Sequence, residues 1–332
     1  MRFLGGVFKI IFIPVIIVGL LLITVRIADW VMYSSFYTNS TMVFLTPGLD
    51  EGYVPQGFDF DDSEDTYLLS GGMIDKRASR IYTVDEEGNT QYTELKLLDE
   101  TNYSGELGGI AYYGDYIYVA GQKGVDVFSY TDVLNGEKET RHLGTVTTYV
   151  EPSYCTIYNG YLFTGSYYET GGKTADYEYH ITPSGEVNPS IITVFKLDET
   201  AEFGVDSTPK AVITTTSFVQ GICFTDNNEM IVSTSGGLRA SKLYAYDLTE
   251  IEETEFTFEG TFNQEEFTFE GVKKYHLESK YIVETITAPP MCEEIFYRDG
   301  KIYIMNGAAS NKYFFGKFTT GSYTYAYQYK TV

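Results

Sequence analysis

Two Gln-Gly pairs and one Glu-Glu pair mark where this chain could do chemistry. Gln56-Gly57 and Gln220-Gly221 each open an alternating strand that is followed by a Ser-Gly-Gly strand end, and Glu293-Glu294 opens another alternating strand. Amides and carboxylates gathered on one axis can hold a polar ligand or a divalent cation, and a carboxyl among them can act as a general acid or base. The same groups can equally hydrogen-bond neighbouring strands and ordered water. Which of these applies depends on whether the fold brings the pairs together.

The pairs sit at equivalent places in a repeat. Residues 54–85 and 219–247 match: a strand opening on Gln-Gly, an acidic turn, a strand ending in Ser-Gly-Gly, a loop, and a third strand closing on Asp. Weaker copies begin at Gly108, Ser153 and Cys292, each with two alternating strands joined by a tight turn (YGD, YNG, RDG). Aligning the five copies puts Gly57, Gly109, Cys155, Gly221 and Glu294 in register, with Gln56, Gly108, Tyr154, Gln220 and Glu293 one residue earlier. Repeats of this size with four strands each are the mark of a β-propeller, so the fold expected is all-β, a single propeller over residues 54–332. The count is five blades, or six if the tandem EFTFEG duplication (255–260 and 266–271) contributes one rather than an extra hairpin. A long loop or added hairpin is expected at 171–190. Fourth strands are legible as TQYTELKL, KAVITT and KYIVETI, with YTYAYQYK as the last complete strand. MVFL (42–45) would close the ring from the other end of the chain, which removes exposed edges. A two-sheet sandwich would explain the alternation but not the repeated Gln-Gly and Ser-Gly-Gly.

In such a fold the first strand of each blade lines the central channel, so Gln56, Tyr154, Gln220 and Glu293 are candidate ligand-binding residues at its mouth, with Glu294 one step inside. The loops between second and third strands open on the same face. Each carries a basic residue: Lys76, Arg77 and Arg80, then Lys123, then Lys173, then Arg239 and Lys242, then Lys312. From these, Arg77, Arg80, Arg239, Lys242 and Lys312 are candidates for gripping an anionic envelope ligand. They could instead be loop charges paired with nearby acids. His142, His180 and His276 are distant in sequence and outside the inner strands, which supports neither a His metal site nor a triad. Cys155, Cys223 and Cys292 fall in or beside inner strands and read as structural thiols. The acidic run Asp59, Asp61, Asp62, Glu64, Asp65 lacks a calcium-loop spacing and reads as a solvated turn.

The chain resembles the broad class of extracellular or periplasmic propellers built from NHL-like and gluconolactonase-like blades. The resemblance lies in the repeat pattern over 54–332. Lactonase-type members of that class are generally six-bladed and hold a divalent metal in the channel with Glu, Asn and Asp, which would imply hydrolase activity. This chain differs in its blade count, and none of its residues matches that ligand set position by position, so no metal ligand is assigned and no cofactor is expected outside a divalent cation in the hydrolase alternative.

Residues 1–33 differ in kind. Residues 10–25 are uncharged and apolar, with Pro14 and Gly19 inside, Lys9 before and Arg26 and Asp29 after. The stretch after Val25 lacks the small residues of a signal-peptidase site, so an uncleaved signal anchor is expected, followed by a juxtamembrane segment at 34–53. Positive charge on its amino side places the N-terminus in the cytoplasm and the propeller outside the plasma membrane, as a single-pass protein. With 46 acidic against 23 basic residues among 332, a nucleic-acid partner is excluded. The function expected is a membrane-tethered extracytoplasmic scaffold binding an envelope ligand or a protein partner. The alternative is a metal-assisted hydrolase or lyase, lactonase- or esterase-like, using Glu293 or Glu294 at the channel mouth.

Overall fold

The computed structural model describes residues 2–313, 315–319 and 321–330, with side chains from residue 16 onward apart from that of Phe315. Five four-stranded antiparallel units stand around one axis. Blade 1 is built from Tyr53–Asp61, Thr66–Met73, Arg80–Asp85 and Thr90–Lys96, and blade 2 from Ile110–Tyr113, Tyr116–Ala120, Val125–Ser129 and Gly144–Val146. Blade 3 is Pro152–Tyr158, Tyr161–Ser166, Ser190–Leu197 and Val205–Thr215, and blade 4 is Val219–Phe224, Glu229–Thr234, Ser241–Asp247 and Ile282–Ala288. Blade 5 takes three strands from the end of the chain (Cys292–Arg298, Lys301–Asn306, Tyr323–Gln328) and its outer strand, Ser40–Leu45, from the beginning. The expected closing strand is therefore present, and the propeller begins at Ser40 rather than at residue 54. Inner strands of adjacent blades touch all the way round the ring.

Local sequence explains the hairpins. Asn159-Gly160 and Asp299-Gly300 both adopt positive φ at the two central turn residues (48° and 77°, 51° and 73°), the backbone twist that two-residue hairpins require and that Asn, Asp and Gly tolerate. The cores lie between blades and are aromatic. Phe58 and Tyr67 of blade 1, for example, meet Phe296 and Tyr303 of blade 5, the last two stacked at 4.6 Å.

The tandem duplication is an extra hairpin, Thr254–Phe262 with Glu265–His276, and adds no sixth blade. It leaves blade 4 before that blade's last strand and joins the outer edge of blade 3, with Glu265–His276 running parallel to Val205–Thr215. Its alternating Phe residues decide this: Phe258 and Phe267 bury against Val212, Ile191 and Val150 of blade 3 and its approach. The loop at 171–190 holds a small hairpin, His180–Ile181 with Val187–Asn188, as expected.

Two helices precede the propeller, α1 (Arg2–Met32) and α2 (Ser34–Thr38). They form one nearly continuous rod, because Tyr33 N–H donates to the Asp29 carbonyl and Tyr37 N–H to the Tyr33 carbonyl, both at 3.0 Å. Phe36 and Tyr33 dock it into the groove between blades 4 and 5, Phe36 lying against Tyr325 and Tyr327. Among the described residues no helix is long and apolar enough to cross a membrane. Residues 10–15 of the expected span lie outside the residues whose side chains are described.

Candidate functional site

The start of each inner strand shapes the axis. Four of the five carry a bulge there, between Pro55 and Gly57, Pro152 and Tyr154, Val219 and Gly221, and Cys292 and Ile295. A bulge inserts one residue and re-aims its side chain. In blades 1, 3 and 4 the residue turned out to the mouth is Gln56, Ser153 and Gln220. The expectation that Tyr154 stands at the mouth is corrected here. Blade 3's bulge falls one residue earlier, so Ser153 takes that place and Tyr154 turns into the core between blades 3 and 4, fully buried with its hydroxyl against Gly165.

Just inside the mouth the five aligned residues meet around one carboxylate. Glu294 Oε2 accepts the Phe58 N–H at 2.7 Å and the Ile110 N–H at 2.8 Å, and Oε1 accepts the Cys155 N–H at 3.3 Å, so a side chain of blade 5 binds the backbones of blades 1, 2 and 3. The glycines in register are there for closeness. A Cβ on Gly109 would lie 2.1 Å from Glu294 Oε1, and one on Gly221 2.7 Å from Glu294 Cα. Burial pushes the Glu294 carboxyl well above its ordinary range; Asp59 pushes the same way, against the pull of the three backbone N–H donors. With its oxygens engaged inside the ring, Glu294 ties blades together and offers no free face to a substrate.

Above it opens a cavity of about 940 Å³. Its floor and wall carry Gln56, Gln220 and Ser153 from the inner strands. Around them stand Gln122, Glu106, Glu151, Glu169, Glu178, Lys173 and Lys312, with Tyr167 and Tyr313 supplying aromatic faces. Lys312 is held by Glu106 at 3.1 Å. Glu178 is largely buried, and burial raises its carboxyl. Glu293 lies beside the wall under Lys312, Tyr313 and Tyr167. Burial pushes its carboxyl up to about 8 against the opposing pull of the Lys312 ammonium, so it holds a proton at neutral pH.

The remaining cations do not converge on this cavity. Arg80 is only 4% exposed, pairs with Glu51 at 2.6 Å and Glu94 at 3.5 Å, and lies over the Tyr92 ring. Arg77 pairs with Asp75 at 2.6 Å and also donates to the Glu51 carbonyl. Arg239 lies over Phe218, and Lys242 donates to Thr287 Oγ1 at 2.7 Å. Among the five cationic candidates only Lys312 lines the cavity. Glu106, Glu151, Glu169 and Glu178 were not singled out from the sequence. Glu106 and Glu151 each stand two residues before a channel-mouth residue, Gly108 and Ser153, but an alignment by strand openings extended two positions reaches Glu106 and lands on Pro152 in blade 3, because the shifted bulge that puts Ser153 at the mouth is set by the fold.

Other expectations shift as well. His180 and His276 come together, ring centroids 6.3 Å apart, on the added hairpins of blade 3, while His142 pairs with Asp126 at 3.0 Å in blade 2. All three cysteines are buried free thiols, and burial raises Cys292 to about 12. The acidic run is not uniformly solvated. Asp61 is buried and accepts from Tyr130 and Ser63, and Asp59 points to the lower end of the channel with its carboxyl raised by burial to about 7. Among the described residues no group of three or more His, Cys, Asp and Glu is placed to hold a metal ion.

No protein-family model matches the chain, and neither does any curated protein. Solved structures that are similar include the pyrroloquinoline-quinone-bound aldose sugar dehydrogenase of Streptomyces coelicolor (12% identity, TM-score 0.44, covering 86% of this chain and 95% of that one). They also include the glutaminyl cyclase of Myxococcus xanthus (10%, TM-score 0.42, 87% and 94%) and the calcium-binding protein regucalcin of Agrobacterium tumefaciens (9%, TM-score 0.37, 87% and 94%). At these identities and TM-scores the chemistry of the site has to come from its own residues.

Proposed function

We propose that this chain is a membrane-tethered binding protein whose cavity takes a hydroxyl-rich ligand carrying an amine. The observation that carries the reading is the charge and chemistry of the cavity. With Lys312 neutralised by Glu106, the carboxylates Glu151, Glu169 and Glu178 face a single ammonium, Lys173. Three amides and two serines supply paired donors and acceptors for hydroxyls, and Tyr167 and Tyr313 offer faces for a sugar ring. The anionic ligand suggested by the loop cations is the weaker fit, because most of those cations are occupied within their own blades. The tether rests on the uncharged run at 10–25, its positive amino-side flank, and the exposure of the apolar side chains from Ile16 to Ile27, 43–59% for each except the half-buried Leu22. Titration calorimetry of the full chain with glucosamine oligomers tests the reading. Binding is expected, and a Glu151→Gln, Glu178→Gln double variant is expected to weaken it at least tenfold. Unchanged affinity in that variant would remove the carboxylates from recognition.

Glu293 favours a second reading, the hydrolase alternative. A carboxyl protonated at neutral pH beside a polar cavity can serve as a general acid. Turnover of lactones or esters that disappears in Glu293→Gln would support it. Glu294 has no part in it, since three backbone N–H groups occupy its oxygens.

A further inference from the structure

The helical rod that precedes the propeller has a direction. At its lower end the Asn39 carbonyl accepts the Gln328 N–H at 2.7 Å, and the next residue, Tyr329, donates to the carbonyl of Gly300. Gly300 belongs to the first-to-second-strand turn of blade 5, on the face opposite the cavity. By Tyr33 the rod has reached the level of Cys292, the first residue of the blade 5 inner strand. Further along, α1 touches Phe315–Phe318, a turn of the loop that also carries the cavity residues Lys312 and Tyr313. The ten steps from Asn39 back to Asp29 cover about 15 Å at 1.5 Å per residue, most of a blade's height. Among the residues whose side chains are described, Asp29 is the last buried one going toward the N-terminus, and residues 16–28, exposed except for the half-buried Gly19 and Leu22, carry the rod roughly another 20 Å. The rod thus leaves the molecule on the cavity side.

Two more observations lie on that side. Ile74 and Leu238 sit in the second-to-third-strand loops of blades 1 and 4, and they are 49% and 69% exposed. Trp30 is 56% exposed on the rod where it emerges, a residue type that settles at membrane interfaces. An apolar helix exposed on nearly every side is satisfied by lipid, and whatever face it leaves from is the face turned to the lipid.

Building on the tether proposed above, we infer that the cavity face looks at the bilayer surface, with Ile74 and Leu238 against the lipid and Trp30 at the interface. The cavity mouth then opens onto the narrow layer next to the membrane. Its ligand is the polar head of a molecule held in that membrane, and a polymer free in the surrounding medium would reach it only from the side.

The test uses the full chain reconstituted in phosphatidylcholine vesicles that carry a headgroup-attached nitroxide in both leaflets. Fluorophores are placed on single cysteines introduced at Lys173 and Leu238 on the cavity face, and at Glu87 and Asp115 on the opposite face. The native cysteines are buried and leave the label to the introduced site. Quenching several-fold stronger at Lys173 and Leu238 than at Glu87 and Asp115 is the expected result. Equal quenching, or stronger quenching at Glu87 and Asp115, in protein that floats with the vesicles would overturn the orientation while leaving the tether intact. Protein that does not float with the vesicles would overturn both.

Discussion

Removing the Glu294 side chain tests how the ring is held. Glu294→Ala takes the acceptor away from the Phe58, Ile110 and Cys155 N–H groups, all of which are buried at the axis. A buried donor left without a partner costs about 1–3 kcal/mol. Water entering the vacated space would recover part of this, so the expected loss is about 3–6 kcal/mol, a large share of a typical domain's stability. Glu294→Gln keeps one acceptor oxygen and replaces the other with an NH2 group. The amide oxygen can replace Oε2, which serves Phe58 and Ile110, while its NH2 group faces the Cys155 N–H. One bond is lost, and about 1–2 kcal/mol is expected. The assay is urea unfolding of the full chain in detergent, followed by far-ultraviolet circular dichroism. Glu294→Ala within about 1 kcal/mol of the parent, or Glu294→Gln as damaging as Glu294→Ala, would refute the idea that one carboxylate ties three blades through their backbones.

Glu293 gives a pH dependence of known sign. Its folded carboxyl is raised from 4.5 to about 8, so the folded state keeps a proton that the unfolded state releases. That contribution is complete below about pH 4.5 and declines as pH rises through about 8. Glu293→Gln fixes the neutral form and is expected to match the parent near the lower end of this range and to exceed its stability by a few kcal/mol near the upper end, measured by unfolding across pH. Gly109→Ala places a Cβ 2.1 Å from Glu294 Oε1 and 2.4 Å from the Cys155 nitrogen, and a lowered unfolding midpoint in the same urea assay is expected. Phe36→Ala empties the groove between blades 4 and 5 and should cost about 3–5 kcal/mol. It should also narrow the difference in lipid quenching between the two faces, because the rod loses its fixed direction.

The blades, the closing strand and the extra hairpin were legible in the sequence because each rests on short-range pattern: alternation, turn residues, and strand-opening Gly. What escaped depends on contacts between distant segments. EFTFEG reads as a hairpin on its own, but its attachment to blade 3 follows from Phe258 and Phe267 meeting Val212 and Ile191, a parallel pairing that no local rule specifies. Alignment by strand openings puts Tyr154 at the mouth because it assumes one bulge position, and blade 3 shifts its bulge by a residue. The basic loops look like a shared rim in the sequence because their partners, such as Glu51 for Arg80, come from elsewhere in the chain. The cavity acids lie in irregular segments, where periodicity gives no sign of direction. Glu293 and Glu294, adjacent in sequence, part into different roles: one joins blades at the axis, and the other sits protonated beside the cavity.

On the function proposed, the cavity recognises an amine-bearing, hydroxyl-rich ligand through its carboxylates. The most direct measurement is calorimetric titration of the full chain with three matched oligosaccharides: glucosamine oligomers, their N-acetylated counterparts, and galacturonate oligomers. Binding strongest for the free amine, weaker for the acetylated form and absent for the uronate is the result expected. Tightest binding by galacturonate, lost in Lys173→Ala or Lys312→Ala, would contradict it and return the site to an anionic ligand.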